Sequence, residues 1–172
     1  IDTLHTRQTY GAGFDDEGDT NANPTLMNVT MYLMLPVFIA LQCVLAYQIY
    51  NGMAGVELLG AVLSSGIFAG IGIIYGHELA HTKGFSFLIA RWMMALSGSS
   101  HFCYAHVYNH HLELGCENDP ATAPRGRSLY AHLPKSYFGQ SKFLYTMEKQ
   151  RLKRLGVPFL SWQNRWIRGY AM

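Results

Sequence analysis

The chain is 172 residues long with a formal net charge of +2, and only 14% of it is charged against 49% hydrophobic. A soluble globular domain carries roughly 25% charged residues, so this composition excludes an ordinary small soluble domain. Three cysteines, Cys43, Cys103 and Cys116, form no CxxC pair, which argues against a disulfide framework and fits a reducing compartment.

Charge is divided unevenly along the chain. Residues 1–25 carry Arg7 against Asp2, Asp15, Asp16, Glu17 and Asp19, and their Gly and Asn content together with Pro24 predicts a loop or extended segment. From Leu26 to Tyr50 there are 25 residues without a formal charge. A transmembrane helix needs about 20 predominantly apolar residues, so this run predicts a first span, kinked at Pro36. Asn51-Gly52 reads as a turn. A second apolar run, Met53 to Gly76, is interrupted only by Glu57 and predicts a second span. Its small residues include Gly66-x-x-x-Gly70 and Gly72-x-x-x-Gly76. Such spacings let membrane helices approach closely, and packing is the expected role.

Two spans joined by a short turn place residues 1–25 and 77–172 on one side. Residues 77–172 carry twelve Lys or Arg against five acids, and the positive-inside rule puts that side in the cytoplasm. A basic region of this size suits nucleic acid, an acidic protein or lipid headgroups; the spans select the membrane and leave nucleic acid out. Phe85–Leu96 is apolar but too short to cross, which predicts a re-entrant or interfacial helix. Pro120, Pro124, Gly126 and Pro134 mark loops, and Gln140 to Leu155 reads as a charged helix stopped by Gly156 and Pro158. Residues 162–172 gain apolar character as the start of a further span, and the sequence reads as an internal piece of a longer protein. The expected fold class is therefore all-α: a multi-pass membrane protein with a transmembrane hairpin, residues 26–76, and a cytoplasmic histidine-rich region, residues 77–161.

Five of the eight histidines fall in two groups. Gly76-His77-Glu78-Leu79-Ala80-His81 stands where the second span leaves the membrane, and histidines four apart share a helical face. Alone, HExxH suits a zinc protease with Glu78 as general base, a reading that the two uncharged spans oppose. His106-Val107-Tyr108-Asn109-His110-His111 follows about thirty residues later. An α-helix there puts His106 and His110 on one face, with His111 turned roughly 100° from His110, so one helix can serve two metals, or one metal and a contact behind it. Imidazole suits iron, copper and zinc alike, so spacing leaves the metal open. Glu78 and Asp119 are candidates to hold a ligand's ring N–H. His101 is a weaker candidate ligand, Cys103 with His106 only imitates a metal spacing, and His132 is expected at the surface.

The two boxes resemble those of the integral-membrane histidine-box proteins, which include alkane hydroxylases, xylene monooxygenases and fatty-acid desaturases. The similarity is greatest to the bacterial alkane 1-monooxygenase family. Beyond the histidines it rests on Asn118-Asp119-Pro120-Ala121-Thr122, Gly126-Arg127-Ser128-Leu129-Tyr130, Leu133-Pro134, Glu148-x-x-Arg151-Leu152-Lys153-Arg154-Leu155-Gly156-x-Pro158 and Trp162-x-Asn164. It departs from the family pattern at Thr82, Ala105 and Asn109. The resemblance implies that His77, His81, His106, His110 and His111 are ligands of two non-haem iron ions, further ligands coming from motifs outside this sequence. It implies O2 as co-substrate, an apolar substrate drawn from membrane lipid, a rubredoxin-type electron donor at the cytoplasmic face, and a bacterial inner-membrane location. Terminal hydroxylation of medium-chain alkanes is the leading expectation. A fatty-acid desaturase or aromatic-methyl hydroxylase, and from another class a zinc-binding or zinc-transporting membrane protein, remain open.

Overall fold

The computed structural model describes residues 24–172, with side chains from residue 26 onward. The acidic segment expected at the start thus lies outside the described residues, apart from Pro24 and Thr25, which open the first helix. Every described regular element is helical: α1 Pro24–Tyr50, α2 Gly55–Ala80, α3 Phe85–Leu96, α4 Phe102–Ala105, a π-helical segment His106–His110, α5 His111–Glu113, α6 Leu129–Leu155 and α7 Arg165–Tyr170. The described residues up to Thr30 belong to one unit and Met31–Met172 to another. Within the first, Thr30 Oγ1 donates to Leu26 O at 2.9 Å; the second carries everything that follows.

α1 and α2 are long and apolar enough to cross a membrane. Unlike the core helices of a soluble protein, they leave Leu33, Val37, Val44, Leu59, Leu63, Ile67 and Ile74 bare. Water would penalise that much uncovered apolar surface, whereas lipid would not. Pro36 lies inside α1 as expected. The turn forms at Asn51-Gly52, where Gly52 takes φ +92° and Asn51 Nδ2 donates to Tyr47 O. The spans then run antiparallel: Gln42 Nε2 donates to Ser65 Oγ at 3.1 Å, and Phe38 packs on Gly72. Only the second small-residue pair sits in a close contact. A Cβ on Gly72 would meet the Phe38 ring at 3.3 Å and one on Gly76 would meet Met94 Cε at 3.1 Å, whereas Gly66 and Gly70 face open space.

The positive-inside reading expects Asn51 at the periplasmic surface. With the exposed Cys43 and Cys116 replaced by Ser, Asn51→Cys should react with an impermeant thiol reagent only from the periplasm. Reaction from the cytoplasmic side alone would invert the topology.

α3 turns back at Gly84, φ +65°, and leans antiparallel on α2. Ile89, Ala90, Met93 and Met94 close a buried cluster with Leu79, Ala80 and Cys103. Ser97 Oγ reaches Ala69 O at 3.4 Å, so the far end of α3 lies about 18 Å below His81 along α2 at 1.5 Å per residue. The segment thus folds back along α2. The chain then climbs back through α4 toward the end of α2.

α6 is longer than the sequence suggests. It starts at Leu129, after Ser128 accepts from Ala131 N, and ends at left-handed Gly156. Pro134 is therefore inside this helix and does not mark a loop. The carbonyl it deprives of a donor is that of Tyr130, one turn earlier, and Tyr130 is 86% exposed, so water can serve it. The close of the chain forms the short helix α7, capped by Asn164 Oδ1 accepting from Trp166 N and Ile167 N.

Candidate metal centre

The last turn of α2 ends in His77, and His81 caps the helix. Their Nε2 atoms stand 3.2 Å apart, as one helical face requires. The opposite wall comes from the returning chain. His106 Nε2 lies 2.8 Å from that of His77 and 3.4 Å from that of His81.

The second box departs from α geometry. His106–His110 is π-helical, with backbone bonds running from i to i+5. Residues five apart now face the same way, and His111 Nε2 comes 2.9 Å from His106 Nε2. His110 keeps to the side of His106, as the spacing of four expects, but its ring is turned to a second partner. Its ring stacks beside His106 at 5.2 Å, and its Nδ1 donates to Asp119 Oδ2 at 2.7 Å. Three Nε2 atoms, of His77, His81 and His106, thus converge, His111 joins them at His106, and His110 is held from behind with its own Nε2 left free.

Two nitrogens each about 2.1 Å from one ion lie roughly 3.0–3.4 Å apart. The spacings of His81 to His77 and to His106, 3.2 and 3.4 Å, match that frame, and those of His106 to His77 and to His111, 2.8 and 2.9 Å, are slightly tighter. A neutral imidazole has a single N–H, so three ring nitrogens facing one another cannot all be satisfied as hydrogen bonds. They form a set of electron-pair donors suited to a cation. Burial, then the neighbouring imidazoles, hold His106 down to about 3, and the same two causes lower His81 and His111. All three rings are neutral near pH 7, the state a metal ligand needs. Phe102 lies flat on His106, centroids 4.8 Å apart, and presents its ring to the edge of His77, giving the cluster an apolar floor.

Asp119 is held from several directions. Ala121 N donates to Oδ1 at 2.9 Å, and Thr122 Oγ1 and His110 Nδ1 both donate to Oδ2. Burial pushes the carboxyl up, but the bonds from Thr122, Ala121 and His110 outweigh it and hold it below its ordinary range. An ionised carboxylate on Nδ1 fixes the tautomer that leaves Nε2 free as a donor to metal.

Glu78 is exposed and makes no hydrogen bond to the cluster. His101 is also apart. Its ring is 2% exposed and edge-on to Tyr137 at 4.7 Å, and burial lowers it to about 4. Cys103 is buried and pushed up to about 12, chiefly by burial; it packs as a thiol. His132 is not on the surface: it is buried, and its Nε2 donates to Ala121 O at 3.3 Å. Sequence reasoning missed it, and missed Gly139, which packs against Pro120.

The fatty acid desaturase family model matches residues 54–172, which include both histidine boxes. The chain is 34% identical to alkane 1-monooxygenase 1 of Alcanivorax borkumensis over 79% of its own length and 34% of that relative. It is 32% identical to alkane 1-monooxygenase of Pseudomonas putida over the same shares, 79% and 34%. The hydroxylase component of xylene/toluene monooxygenase from Pseudomonas putida is 28% identical, over 78% of this chain and 38% of that protein. The chain spans about a third of the length of these relatives. A match across both boxes and both approaches to them, joined to a converged histidine cluster beside two apolar helices, fixes the family: the chain belongs to the fatty acid desaturase family of histidine-rich membrane proteins.

Proposed function

We propose that this chain supplies ligands to the non-haem di-iron centre of a monooxygenase in the bacterial inner membrane. The reaction proposed is hydroxylation of the terminal C–H of medium-chain alkanes, with O2 as co-substrate and a rubredoxin-type protein as electron donor. The observation that carries this reading is the convergence of the His77, His81 and His106 Nε2 atoms, with His111 beside His106, at the end of a membrane-length helix. The alkane 1-monooxygenases among the relatives supply the substrate class.

His77, His81, His106 and His111 would hold iron through Nε2, and His110 would do so through the Nε2 that its Asp119 contact leaves free. When bound, the iron pair would activate O2 for insertion into an unactivated C–H bond. Phe102 keeps water from one side of the cluster, and the neutral imidazoles bring no protons to compete with metal. The apolar flanks of α1 and α2 open the site to a substrate dissolved in lipid. The basic residues after His77 offer an acidic electron carrier a complementary surface at the cytoplasmic side.

The xylene/toluene monooxygenase relative and the family's own description favour a second reading on the same iron chemistry, an aromatic-methyl hydroxylase or desaturase. The full-length protein in membranes, given reduced rubredoxin and O2, should convert n-alkanes to primary alcohols and hold two irons. Products oxidised at an aromatic methyl or unsaturated at mid-chain would select the second reading. One zinc per chain without O2 uptake would remove both and favour a zinc-binding or zinc-transporting protein.

A further inference from the structure

The loop that carries Asp119 is gripped by α6 at two places. Pro120 sits in a notch at Gly139: a Cβ there would lie 2.5 Å from Pro120 Cβ and 3.4 Å from its Cγ. Real Cβ atoms essentially never come within 3.0 Å of a neighbour, so no larger residue fits without moving Pro120. Two turns earlier His132 donates from Nε2 to Ala121 O at 3.3 Å. Residues seven apart on a helix lie on one face, so the two grips flank Asp119 in one line. Within the loop, Thr122 Oγ1 accepts from Gly115 N at 3.1 Å and donates to Asp119 Oδ2, which ties the far end to the same carboxylate.

We infer that Gly139 and His132 are positioning residues for the metal centre: they seat the Asp119 loop so that its carboxylate fixes the tautomer and aim of His110. This rests on the metal-centre reading above. The physical chain is short. The notch sets Pro120, the adjacent Asp119 moves with it, and the 2.7 Å bond to His110 Nδ1 follows. Beside the notch runs an open cleft lined by Asn109, Asn118, Lys142 and Phe143. Pro120 therefore has room to shift if the notch is filled, and α6 can stay intact. A Gly139 that only packs would cost stability after Gly139→Ala through the clash with Pro120 and leave metal affinity unchanged. A seat for the loop lowers metal affinity as well.

The test uses the full-length protein in nanodiscs. In Gly139→Ala, iron affinity measured in buffered Fe(II) should fall about 10-fold, the lower range for an outer-shell partner of a ligand. Asp119→Ala should lose at least as much, and the double variant no more than Asp119→Ala alone, because both changes act through one carboxylate. Pro120→Gly in the Gly139→Ala background, which removes the clashing Cβ, should recover part of the affinity. His132→Leu should lower affinity in the same direction. Amide exchange at residues 115–122, followed in metal-free protein, should quicken in Gly139→Ala. Unchanged exchange, or additive losses in the double variant, would overturn the inference while leaving the metal centre standing. A wild-type protein that takes up no iron would overturn the metal-centre reading, and the exchange result would still decide the seat.

Discussion

Replacing His106 by alanine in the full-length protein should empty the metal centre. His106 Nε2 is the hub of the cluster, within 3.4 Å of the Nε2 atoms of His77, His81 and His111. Its removal takes one donor away and opens the space between the end of α2 and the second box. A ligand acts through fixed geometry, and water cannot take its place when several must hold one frame. The fall in iron affinity should exceed the roughly 10–100-fold that loss of an outer-shell partner costs, with oxygenation lost alongside it. His77→Ala, His81→Ala and His111→Ala should follow, as should His110→Ala, whose Nε2 stands free for metal. His101→Leu is the contrast: its ring is buried against Tyr137 and sends no nitrogen into the cluster, so iron content should persist. Iron per chain after gel filtration, with alcohol formation beside it, measures both. Near-normal iron in two or more of the five ligand variants would defeat the assignment.

Much of this was legible in the sequence because the signals were local or compositional. Uncharged runs longer than a membrane is thick place α1 and α2, and Asn51-Gly52 places their turn. The i, i+4 spacing of His77 and His81 survives into the structure because α2 stays regular to its end. The second box was harder. A spacing of four implies a shared face only in an α-helix, and nothing in His106–His110 announces the π segment. Once the register widens, His111 also reaches the Nε2 of His106, and Asp119 holds the stacked His110 ring from behind. Pro134 misled for a similar reason: proline breaks a helix when the abandoned carbonyl is buried, and here it belongs to exposed Tyr130. His132 and Gly139 were illegible because their partners, Ala121 and Pro120, lie in a loop whose path depends on tertiary packing.

The second large effect lies on the far end of α6, away from the histidines. Glu148 is fully buried and carries four contacts. Arg151 Nε and Nη2 donate to its two oxygens at 2.8 and 2.7 Å, Arg165 N donates to Oε2 at 2.9 Å, and Arg165 Nη1 stands 3.9 Å from Oε1. One carboxylate thereby fastens the start of α7 to α6. The Arg165 guanidinium lies over the Tyr104 ring at 5.2 Å, with Arg91 at 5.5 Å from the same ring, and Tyr104 ends two residues before His106. Loosening Glu148 thus reaches the element that leads into the second box. Breaking a buried pair by removing one partner costs roughly 3–5 kcal/mol. Glu148→Ala should cost about 3 kcal/mol, the lower end of that range, because the Arg151 side chain keeps 24% of its exposure and can rehydrate. Burial pushes Glu148 up, but the Arg151 and Arg165 contacts outweigh it and hold the group below 4.5. A folded value below the unfolded one means the stabilisation is complete above about 4.5 and fades as pH falls through the lowered value. Thermal midpoints in nanodiscs should therefore be level from neutral pH down to the carboxylate range and then drop. Glu148→Gln, which keeps the shape and loses the charge, should start lower and drop less steeply on acidification. A Glu148→Ala midpoint equal to wild type, or an acid slope unchanged in Glu148→Gln, would show that α7 is fastened by the Asn164 cap and the Ser141–Tyr170 contact without help from this carboxylate.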